Sequence, residues 1–599
     1  MIQLLFGIHC HQPVGNFDRV IAREVERAYA PFLEVVEDFP DFHFSAHYSG
    51  WLLRWIADHR PEVVERLARL VARGQVELLT GGFYEPVLAA IPRPDRRAQI
   101  ERHQAFLEER FGVRARGLWL TERVWEPELV SDLEACGIEY VTVDDYHFQS
   151  AGFDRRELSG CFLTEDAGSR VAVFPIDMVL RYLTPFHPPE EAVAYLLEAH
   201  ERWGWEAATI ADDGEKYGTW PGTHDLVYGE RWLARFLELV CREPGIRAAT
   251  FSEHRATHPP RGLCYLPNTS YFEMGEWSLP AEQAVRLHHL VAEQEAAGRL
   301  EAVKPLLAGG IWKGFFVKYP EANRMHKRAI ALSRRIAALG EGAPAEAAEA
   351  LYTAQANDAY WHGVFGGLYL PHLRHTVWRH LNRCEALLPP APERELRDED
   401  GDGREELHLR SDRLHCTVDA AAGGVVVELS DLESGVNFGA TLARRFEHYH
   451  ATAAKGAEME GEGAETIHHT AGRSLARARS EIVYDLDPPA IGRLRHLAPG
   501  EPLAPRVVAG GHPPPRQRPA EARIDPEGRV ALALPPRLEV EVEPRLAGGR
   551  LRLHYRVAAE GGLPAGRLGV EVCLALPGCD SPATHYRWPG EAEIAGGLG

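Results

Sequence analysis

The chain has 599 residues, more than one ordinary domain holds, so we expect two or three domains. Its formal net charge of −21 argues against a nucleic-acid partner, because phosphates would be repelled, and is compatible with a neutral substrate. The nine cysteines are odd in number and scattered without a CxxC pair. This pattern excludes a disulfide framework and a thiolate zinc cluster.

The N-terminal stretch is apolar only from Ile2 to Ile8 and has no basic n-region, so we expect no signal peptide. No later segment reaches about 18 uninterrupted apolar residues, the minimum for a transmembrane helix. We therefore expect no membrane partner and a cytoplasmic location.

Residues 1–265 alternate between short apolar runs and amphipathic stretches, which predicts a parallel sheet with helices. Helical patterns such as 61–74 and 127–137 begin with Pro and end with Gly, as helix punctuation predicts. Seven strands suit either a barrel or an open doubly wound sheet. Polar residues at the strand ends favour a barrel, whose catalytic groups occupy those ends. The predicted strands are 2–9, 43–48, 76–80, 117–120, 140–143, 171–175 and 207–211.

The pattern changes after the barrel. Residues 266–388 predict a helical region that completes the catalytic cleft, with helices over 281–298 and 345–363. Residues 389–406 are polar and proline-containing, which indicates a linker. Residues 407–599 alternate at period two and predict an all-β sandwich, loop-rich between 454 and 519.

Four clusters in the first half carry side chains suited to catalysis. In GIHCHQP, His9 and His11 share one face of a strand because strand side chains alternate. GQVELLTGGFYEPVL contains Glu77 and Glu85. WLTERVWEPEL places Glu122 at a strand end near Trp125. ADDGEKYGTWPGTHD supplies the last set, which is Asp212, Asp213, Glu215, Trp220 and His224.

Cleavage of a glycosidic bond needs two carboxyl groups flanking the bond, and aromatic rings can support the sugar faces. Glu122 and Asp213 each follow a predicted strand, with Trp125 and Trp220 close in sequence. The residues alone leave a second interpretation open, in which the carboxylates form surface salt bridges and the tryptophans belong to the core.

Two segments of the sequence resemble metal-binding motifs. His9-x-His11 suits zinc, but no third and fourth ligand emerge, so we predict neither a metal nor another cofactor. Asp398, Asp400 and Asp402 fit the first positions of a calcium loop, yet Leu409 stands where the bidentate Glu belongs. A charged turn is therefore the preferred interpretation of that segment.

The four clusters, together with NDAYWHGVFGGLYLPHLR, resemble glycoside hydrolase family 57, and within it most closely the amylomaltase-like 4-α-glucanotransferases. The resemblance runs almost continuously from residue 1 to about 385 and also covers YVTVDDYHF, YFEMGEWSLP and GGIWKGFFVKYPEANRMHKR. It weakens beyond about 450, where expected sandwich segments are replaced by Ala/Pro-rich sequence and the last strands are missing.

The resemblance implies an incomplete (β/α)7 barrel, a helical region and a C-terminal β-sandwich. It also implies a retaining double displacement with Glu122 as nucleophile and Asp213, rather than Asp212, as general acid/base. His11 and Trp220 match positions that line the sugar subsites. The second candidates for substrate contact are His9, Glu77, Trp361 and His362.

The function implied is transfer of α-1,4-glucan segments between maltooligosaccharides. An α-amylase-type hydrolase of the same family is the alternative, followed by a metal-dependent hydrolase. A non-catalytic glucan-binding protein would require loss of a key carboxylate, and both are present. A homodimer is left open.

Overall fold

The structure is a computed structural model of the chain. It describes residues 1–363, 366–452, 483–501, 507–509, 522–535, 538–547, 549–576, 585–586 and 594–595. Two compact units are present. The first comprises Met1–Lys318, Gln355–Gly366 and residues 447–452, and the second comprises Tyr319–Ala354, Gly367–Phe446 and the described residues from 483 onward.

A nine-stranded sheet forms the centre of the first unit. Its strands are β1 (Ile2–Cys10), β2 (Phe44–Tyr48), β3 (Val76–Leu79), β4 (Gly117–Leu118), β5 (Tyr140–Asp144), β6 (Phe162–Asp166), β7 (Ser169–Ile176), β8 (Ala207–Asp213) and β9 (Ile246–Ala249).

Seven parallel strands follow the order β3-β2-β1-β8-β7-β5-β4. A parallel bridge between Thr80 and Leu118 joins the two ends of this order, so the sheet is a nearly closed barrel. The prediction of a seven-stranded barrel is therefore confirmed. The sequence did not predict β6, which pairs antiparallel with β7, or β9, which pairs with β1.

Helices cover the sheet because its strands are apolar on both faces; every residue of β1, β2 and β5 is buried. None of the helices in the described ranges combines the length and apolar character needed to cross a bilayer. The helices of the first unit are Asp18–Glu24, Ala30–Glu37, Gly50–His59, Pro61–Ala72, Arg93–Phe111, Leu129–Ala135, Asp145–Ser150, Met178–Leu183, Pro189–Trp203, Trp232–Arg242, Phe251–Thr257, Phe272–Ser278, Ala281–Ala296, Leu300–Val303, Phe315–Lys318 and His448–Thr452.

The second unit combines the helices Pro320–Leu339, Ala345–Ala354 and Pro371–Leu387 with antiparallel sheets. One sheet has the order β10-β11-β12-β13-β16-β22, with β14 beside β13, and another has the order β18-β19-β20-β21. Leu407, Val426, Val530 and Val540 belong to one hydrophobic core, so the two sheets share their inner faces as the predicted sandwich requires. The strands are β10 (Arg394–Arg397), β11 (Glu406–Arg410), β12 (Leu414–Asp419), β13 (Val425–Asp431), β14 (Val436–Asn437), β15 (Val483–Asp485), β16 (Ile491–Leu497), β17 (Val507–Ala509), β18 (Ala522–Ile524), β19 (Val530–Leu534), β20 (Leu538–Ala547), β21 (Arg550–Ala559), β22 (Arg567–Val572), β23 (His585–Tyr586) and β24 (Ile594–Ala595).

Two local expectations need correction. The helix predicted over 345–363 ends at Ala354, because Asn357 donates from its backbone and its side chain to the Glu85 carbonyl, at 3.2 and 2.8 Å. The stretch 454–519, predicted to be loop-rich, contains the strands β15, β16 and β17 among its described residues. Much of that stretch lies outside the described residues, and the predicted domain boundaries, linker included, remain predictions.

Candidate active site

The carboxyl ends of three neighbouring strands bring candidate residues to one level of the barrel. His9 on β1 is in register with His47 on β2 and with Asp213 on β8. Strand ends in such barrels form the catalytic face. His9 and Asp213, separated by about 200 positions in the chain, are therefore neighbours at this face.

Glu122 lies on a single turn, Thr121–Arg123, directly after β4 and Trp119-Leu120. Its φ is 55° and that of Arg123 is 49°, and both lie in the left-handed region that side chains with a Cβ disfavour. Such residues cost about 1–2 kcal/mol each and persist only where surrounding contacts hold them. Here the Ser270 hydroxyl donates to the Glu122 carbonyl, and the Thr121 hydroxyl donates to Glu85 at 2.9 Å.

The Glu122 carboxylate accepts a hydrogen bond from the Tyr271 hydroxyl at 2.7 Å. Burial raises the pKa of Glu122, whereas Arg123 and this hydrogen bond lower it. The negative charges of Asp213 and Asp358 raise it further. Glu122 therefore shares one electrostatic environment with two other carboxyl groups of the first unit.

The adjacent aspartates at the end of β8 have opposite properties. Asp212 is fully buried and pairs with Lys216 at 2.6 Å. Its two carboxylate oxygens also accept hydrogen bonds from Nε and Nη2 of Arg181, each at 3.2 Å. Burial alone would raise the pKa of Asp212, but these cations hold it below its usual range. Burial and the Asp212 charge together raise the pKa of Asp213. Asp212 is thus a fixed anion, and Asp213 is the one able to carry a proton.

His11 connects the barrel to the segment around Asp358. Its Nε2 lies 3.2 Å from both carboxylate oxygens of Asp358, and its Nδ1 lies 3.0 Å from the Ser49 hydroxyl. Burial lowers the pKa of His11, but Asp358, Glu85 and Glu215 together raise it to about 9. His11 is therefore a cation at neutral pH, held by an anion beside Glu122.

Glu215, the other carboxylate of the DDGE segment, accepts a hydrogen bond from the His11 backbone N–H at 3.0 Å. The Tyr29 hydroxyl also donates to it. Burial and the Asp213 charge raise the pKa of Glu215 to about 8, although these bonds oppose the shift. Glu215 therefore supports the loop that carries His11.

His9, His47 and Glu85 form a buried cluster whose ligand atoms lie close enough to hold a metal ion. Each histidine Nε2 lies 3.9 Å from a Glu85 oxygen, and the two Nδ1 atoms lie 2.8 Å apart. That short contact requires a proton on only one Nδ1, because two N–H groups would repel. In this arrangement one histidine donates to the other, and Glu85 is a third potential ligand that the sequence argument did not find. The absence of a metal ion stays a prediction.

Burial raises the pKa of Glu85 to about 7, despite the opposing charge of His11. Burial also keeps His9 and His47 neutral by lowering their pKa values. His9 stacks on Trp119 with ring centroids 4.5 Å apart. These contacts fix the orientation of the His9 ring at the barrel face.

Glu77 is not brought into this group. It lies near the beginning of β3, and its carboxylate accepts hydrogen bonds from Tyr140 at 2.6 Å, Ser252 and Ser45. Two strand positions separate Glu77 from the level of His9 and His47, and its contact with sugar stays a prediction. Glu85, from the same sequence cluster, is the carboxylate beside His9.

The predicted aromatic contacts lie at two places in the first unit. Trp220 stacks loosely on Phe186, with centroids 6.2 Å apart. Trp361 stacks on Trp277 at 6.2 Å, and Trp277 meets Tyr271 edge-on at 5.8 Å, which gives an aromatic row that ends beside Glu122.

His362 adjoins this row in sequence. Its Nε2 lies 2.9 Å from the Tyr449 hydroxyl, and its Nδ1 lies 3.0 Å from the Gly366 carbonyl. These contacts orient the ring but do not connect it to Glu122 or Asp213.

The acidic turn of the second unit gathers Asp398, Asp400, Asp402 and Glu406 within reach of one cation. Backbone N–H groups of the same turn donate to each of these carboxylates. Glu406, nine positions into the loop, was not part of the sequence argument. The charged-turn interpretation of this segment stays a prediction.

Sequence reasoning missed two residues of the candidate site, Tyr271 and Asp358. Both lie in segments that carried the family resemblance, YFEMGEWSLP and NDAYWHG, but no spacing rule connects them to Glu122 or His11. Their contacts with these two residues join positions 149 and 347 apart in the chain.

Comparison with known proteins agrees with this geometry. The chain matches the model of glycosyl hydrolase family 57 over residues 5–267. Residues 310–388 and 398–489 match the middle and C-terminal domains described for α-amylase/4-α-glucanotransferase. A 4-α-glucanotransferase of Thermococcus kodakarensis is 46% identical over 81% of this chain and 73% of its own length.

An α-amylase of Pyrococcus abyssi is 44% identical over the same shares of both chains. The crystal structure of 4-α-glucanotransferase from Thermococcus litoralis superposes with a TM-score of 0.82 at 40% identity, covering 93% of this chain and 85% of that one. Site geometry, family match and relatives lead to one conclusion: the chain belongs to glycosyl hydrolase family 57.

Proposed function

We propose that this chain is a 4-α-glucanotransferase that moves α-1,4-glucan segments between maltooligosaccharides by a retaining double displacement. The observation that carries the proposal is the pair Glu122 and Asp213 at the carboxyl ends of barrel strands, where the charge of Asp213 raises the pKa of Glu122. Relatives at 44–46% identity bear the same name.

In the first half-reaction the Glu122 carboxylate attacks the anomeric carbon, and the glycosidic C–O bond breaks as Asp213 gives its proton to the departing oxygen. In the second, Asp213 accepts the proton of an acceptor hydroxyl, which displaces Glu122 and re-forms an α-linkage. The mechanism requires the two carboxyl groups to lie about 5–5.5 Å apart across the bound sugar.

The environments of the two carboxyl groups suit these roles. Tyr271 and Arg123 stabilise the ionised form of Glu122 against the effect of burial. The fixed anion Asp212 favours a proton on Asp213. When the Glu122 charge is consumed in the covalent intermediate, the pKa of Asp213 falls, which prepares it to act as a base.

Substrate contact is assigned to His9, His11, Trp220, Trp361 and His362. An aromatic ring can cover the apolar face of a glucose unit, and the row from Tyr271 through Trp277 to Trp361 offers several such rings in line with Glu122. The cation His11 and its partner Asp358 can donate to and accept from sugar hydroxyls.

Incubation with maltotriose tests the proposal. Glucose together with a ladder of longer maltooligosaccharides is the result expected of transfer. Shortened products alone would establish the second candidate, an amylase-type hydrolase, which the relatives named α-amylase favour. Metal analysis of the purified protein tests the metal-dependent alternative, and the cytoplasmic location and the homodimer stay predictions.

A further inference from the structure

Beside the two candidate catalytic carboxylates lies a row of paired charges, of which the mechanism above uses only Arg123 and Asp212. It runs Arg123, Asp144, Arg181, Asp212, Lys216, and each member contacts the next within the first unit. One end is the peptide neighbour of Glu122. Asp212, near the other end, is the peptide neighbour of Asp213.

Asp144, the last residue of β5, joins the two arginines of this row. Its Oδ1 accepts a hydrogen bond from Arg181 Nη1 at 2.8 Å. Its Oδ2 lies 2.7 Å from Arg123 Nε, but the N–H does not point at the oxygen, so this contact is an ion pair only. Asp144 is 3% exposed, which leaves water little part in balancing its charge.

The backbone reinforces the same connection. His147 lies with Nδ1 3.1 Å from the Asp144 carbonyl and with Nε2 3.0 Å from the Arg123 carbonyl. Arg123 also lies over the Tyr271 ring at 4.4 Å, and Tyr271 donates to Glu122. Displacement of Arg123 would therefore disturb both the turn and the hydrogen bond that hold Glu122.

The row contains three cations and two carboxylates, so it carries one net positive charge when His147 is neutral. Groups on several elements also change the pKa values of Glu122 and Asp213, the carboxyl groups beside this row. Those that act on Glu122 are Arg123, Tyr271, Asp213 and Asp358, and those that act on Asp213 are Asp212, Arg123, Arg181 and Lys216. Those that act on Asp144 itself are Arg123, Arg181, His147 and Asp212.

We propose that Asp144 is a positioning residue that joins Arg123 to Arg181 and so sets the placement and the ionisation of Glu122 and Asp213 together. The inference rests on the proposed function, and it holds equally for transfer and for hydrolysis because both begin with the same step. Asp144 itself touches neither the substrate nor the bond that breaks.

The test is the pH dependence of kcat/KM for glucose release from maltotriose by the full chain. Asp144→Asn leaves Arg123 and Arg181 without the anion that they share. Arg123 lowers the pKa of Glu122, and both arginines lower the pKa of Asp213, so both pKa values should fall in the variant. The acidic limb, set by ionisation of Glu122, and the alkaline limb, set by protonation of Asp213, should each move to lower pH by about one unit. The value at the optimum should fall about tenfold or more.

Arg181→Gln provides an independent variant with the opposite sign, at a side chain that is 20% exposed and more tolerant of change. It removes a positive charge, so both limbs should move to higher pH. Asp132→Asn is the matched control, since Asp132 is a fully buried carboxylate paired with Arg96 at 2.6 Å on an outer helix. It should lower the melting temperature and leave both limbs in place.

Coincidence of the Asp144→Asn profile with that of the wild type, even at reduced activity, would overturn the inference. If that variant does not fold, an unmoved Arg181→Gln profile overturns it. A wild-type chain without glucose release would instead overturn the proposed function, and this inference with it.

Discussion

Arg123 in the first unit and Arg328 in the second are both almost fully buried, at 6% and 1% exposure, but their surroundings differ. Arg328 lies on the regular helix Pro320–Leu339 and pairs with Glu385, which is also bound by His415 at 2.9 Å and by Arg335 at 3.2 Å. Arg123 lies on a turn with left-handed backbone beside a carboxylate whose pKa is raised by burial.

The backbone shows the same contrast. Among the described residues of the second unit, only glycines have a positive φ. In the first unit Glu85, Glu122 and Arg123 of the candidate site share this conformation with Ala167 and Arg231. Regular elements with mutually paired charges serve stability. A turn held in a disfavoured conformation, with carboxyl groups left able to gain or lose a proton, serves chemistry.

Substitution of the nucleophile should have the largest effect. Glu122→Gln keeps the shape of the side chain but removes the charge that attacks, so glucan turnover should fall by about 10⁴-fold or more. Initial rates on maltotriose measure the loss. Glu128→Gln, the same change at a side chain that is 58% exposed, should retain full activity. Ordinary turnover by the Glu122 variant would remove it from the mechanism.

Asp213→Asn should reduce activity less than Glu122→Gln does, and the size of the loss should depend on the substrate. Loss of the general acid should reduce maltotriose turnover by about 10²–10⁴-fold. An α-glucosyl fluoride needs little protonation of its leaving group, so fluoride release should partly survive, and added azide should yield an α-glucosyl azide. Identification of that adduct in the Glu122→Gln variant instead would reverse the two roles.

A substitution in the second unit should change the stability of the protein rather than the pH dependence of its activity. Glu385→Gln leaves Arg328 and its neighbours without their shared anion, so the free energy of unfolding should fall by about 3 kcal/mol. Denaturant titration measures the change, while the pH limbs of glucose release should stay where they are. Glu433→Gln, at a side chain that is 77% exposed, provides the control. Equal stability of Glu385→Gln and Glu433→Gln would contradict a stabilising role for the buried charges around Arg328.

Tyr271→Phe should give the smallest effect. The lost hydrogen bond stabilises the ionised Glu122, so its removal raises the pKa of Glu122 and moves the acidic limb of the pH profile to higher pH. A hydrogen bond to a charged group contributes about 1.5–3 kcal/mol, so kcat/KM should fall by about ten- to a hundredfold. Tyr265→Phe removes a surface hydrogen bond to Glu165 and should change neither quantity. An unmoved acidic limb in Tyr271→Phe would contradict the assignment.

The barrel could be predicted from sequence because its signals are local. The seven parallel strands each appear as a short apolar run, and Pro and Gly mark the ends of helices such as Pro61–Ala72. Glu122 and Asp213 could be proposed because each directly follows such a run. The short strands β6 and β9 carry no comparable pattern and were missed.

Contacts that depend on the closed fold could not be predicted in this way. His11 and Asp358 are far apart in the chain, and no periodicity connects them. Glu77 and Glu85 occur in one motif and differ only in where the chain turns after β3, which decides that Glu85 lies beside His9. The row of charges through Asp144 could not be predicted from the sequence either, because its members come from four separate segments.

The left-handed backbone at Glu122 also bears on how this chain would evolve under artificial selection. Glycine adopts that conformation without strain, so replacing Glu122 by glycine should relieve about 1 kcal/mol while ending catalysis. A laboratory selection for heat tolerance alone would therefore enrich variants in which Glu122 is replaced. Directed evolution of a more heat-resistant enzyme from this sequence would require an activity screen in every round.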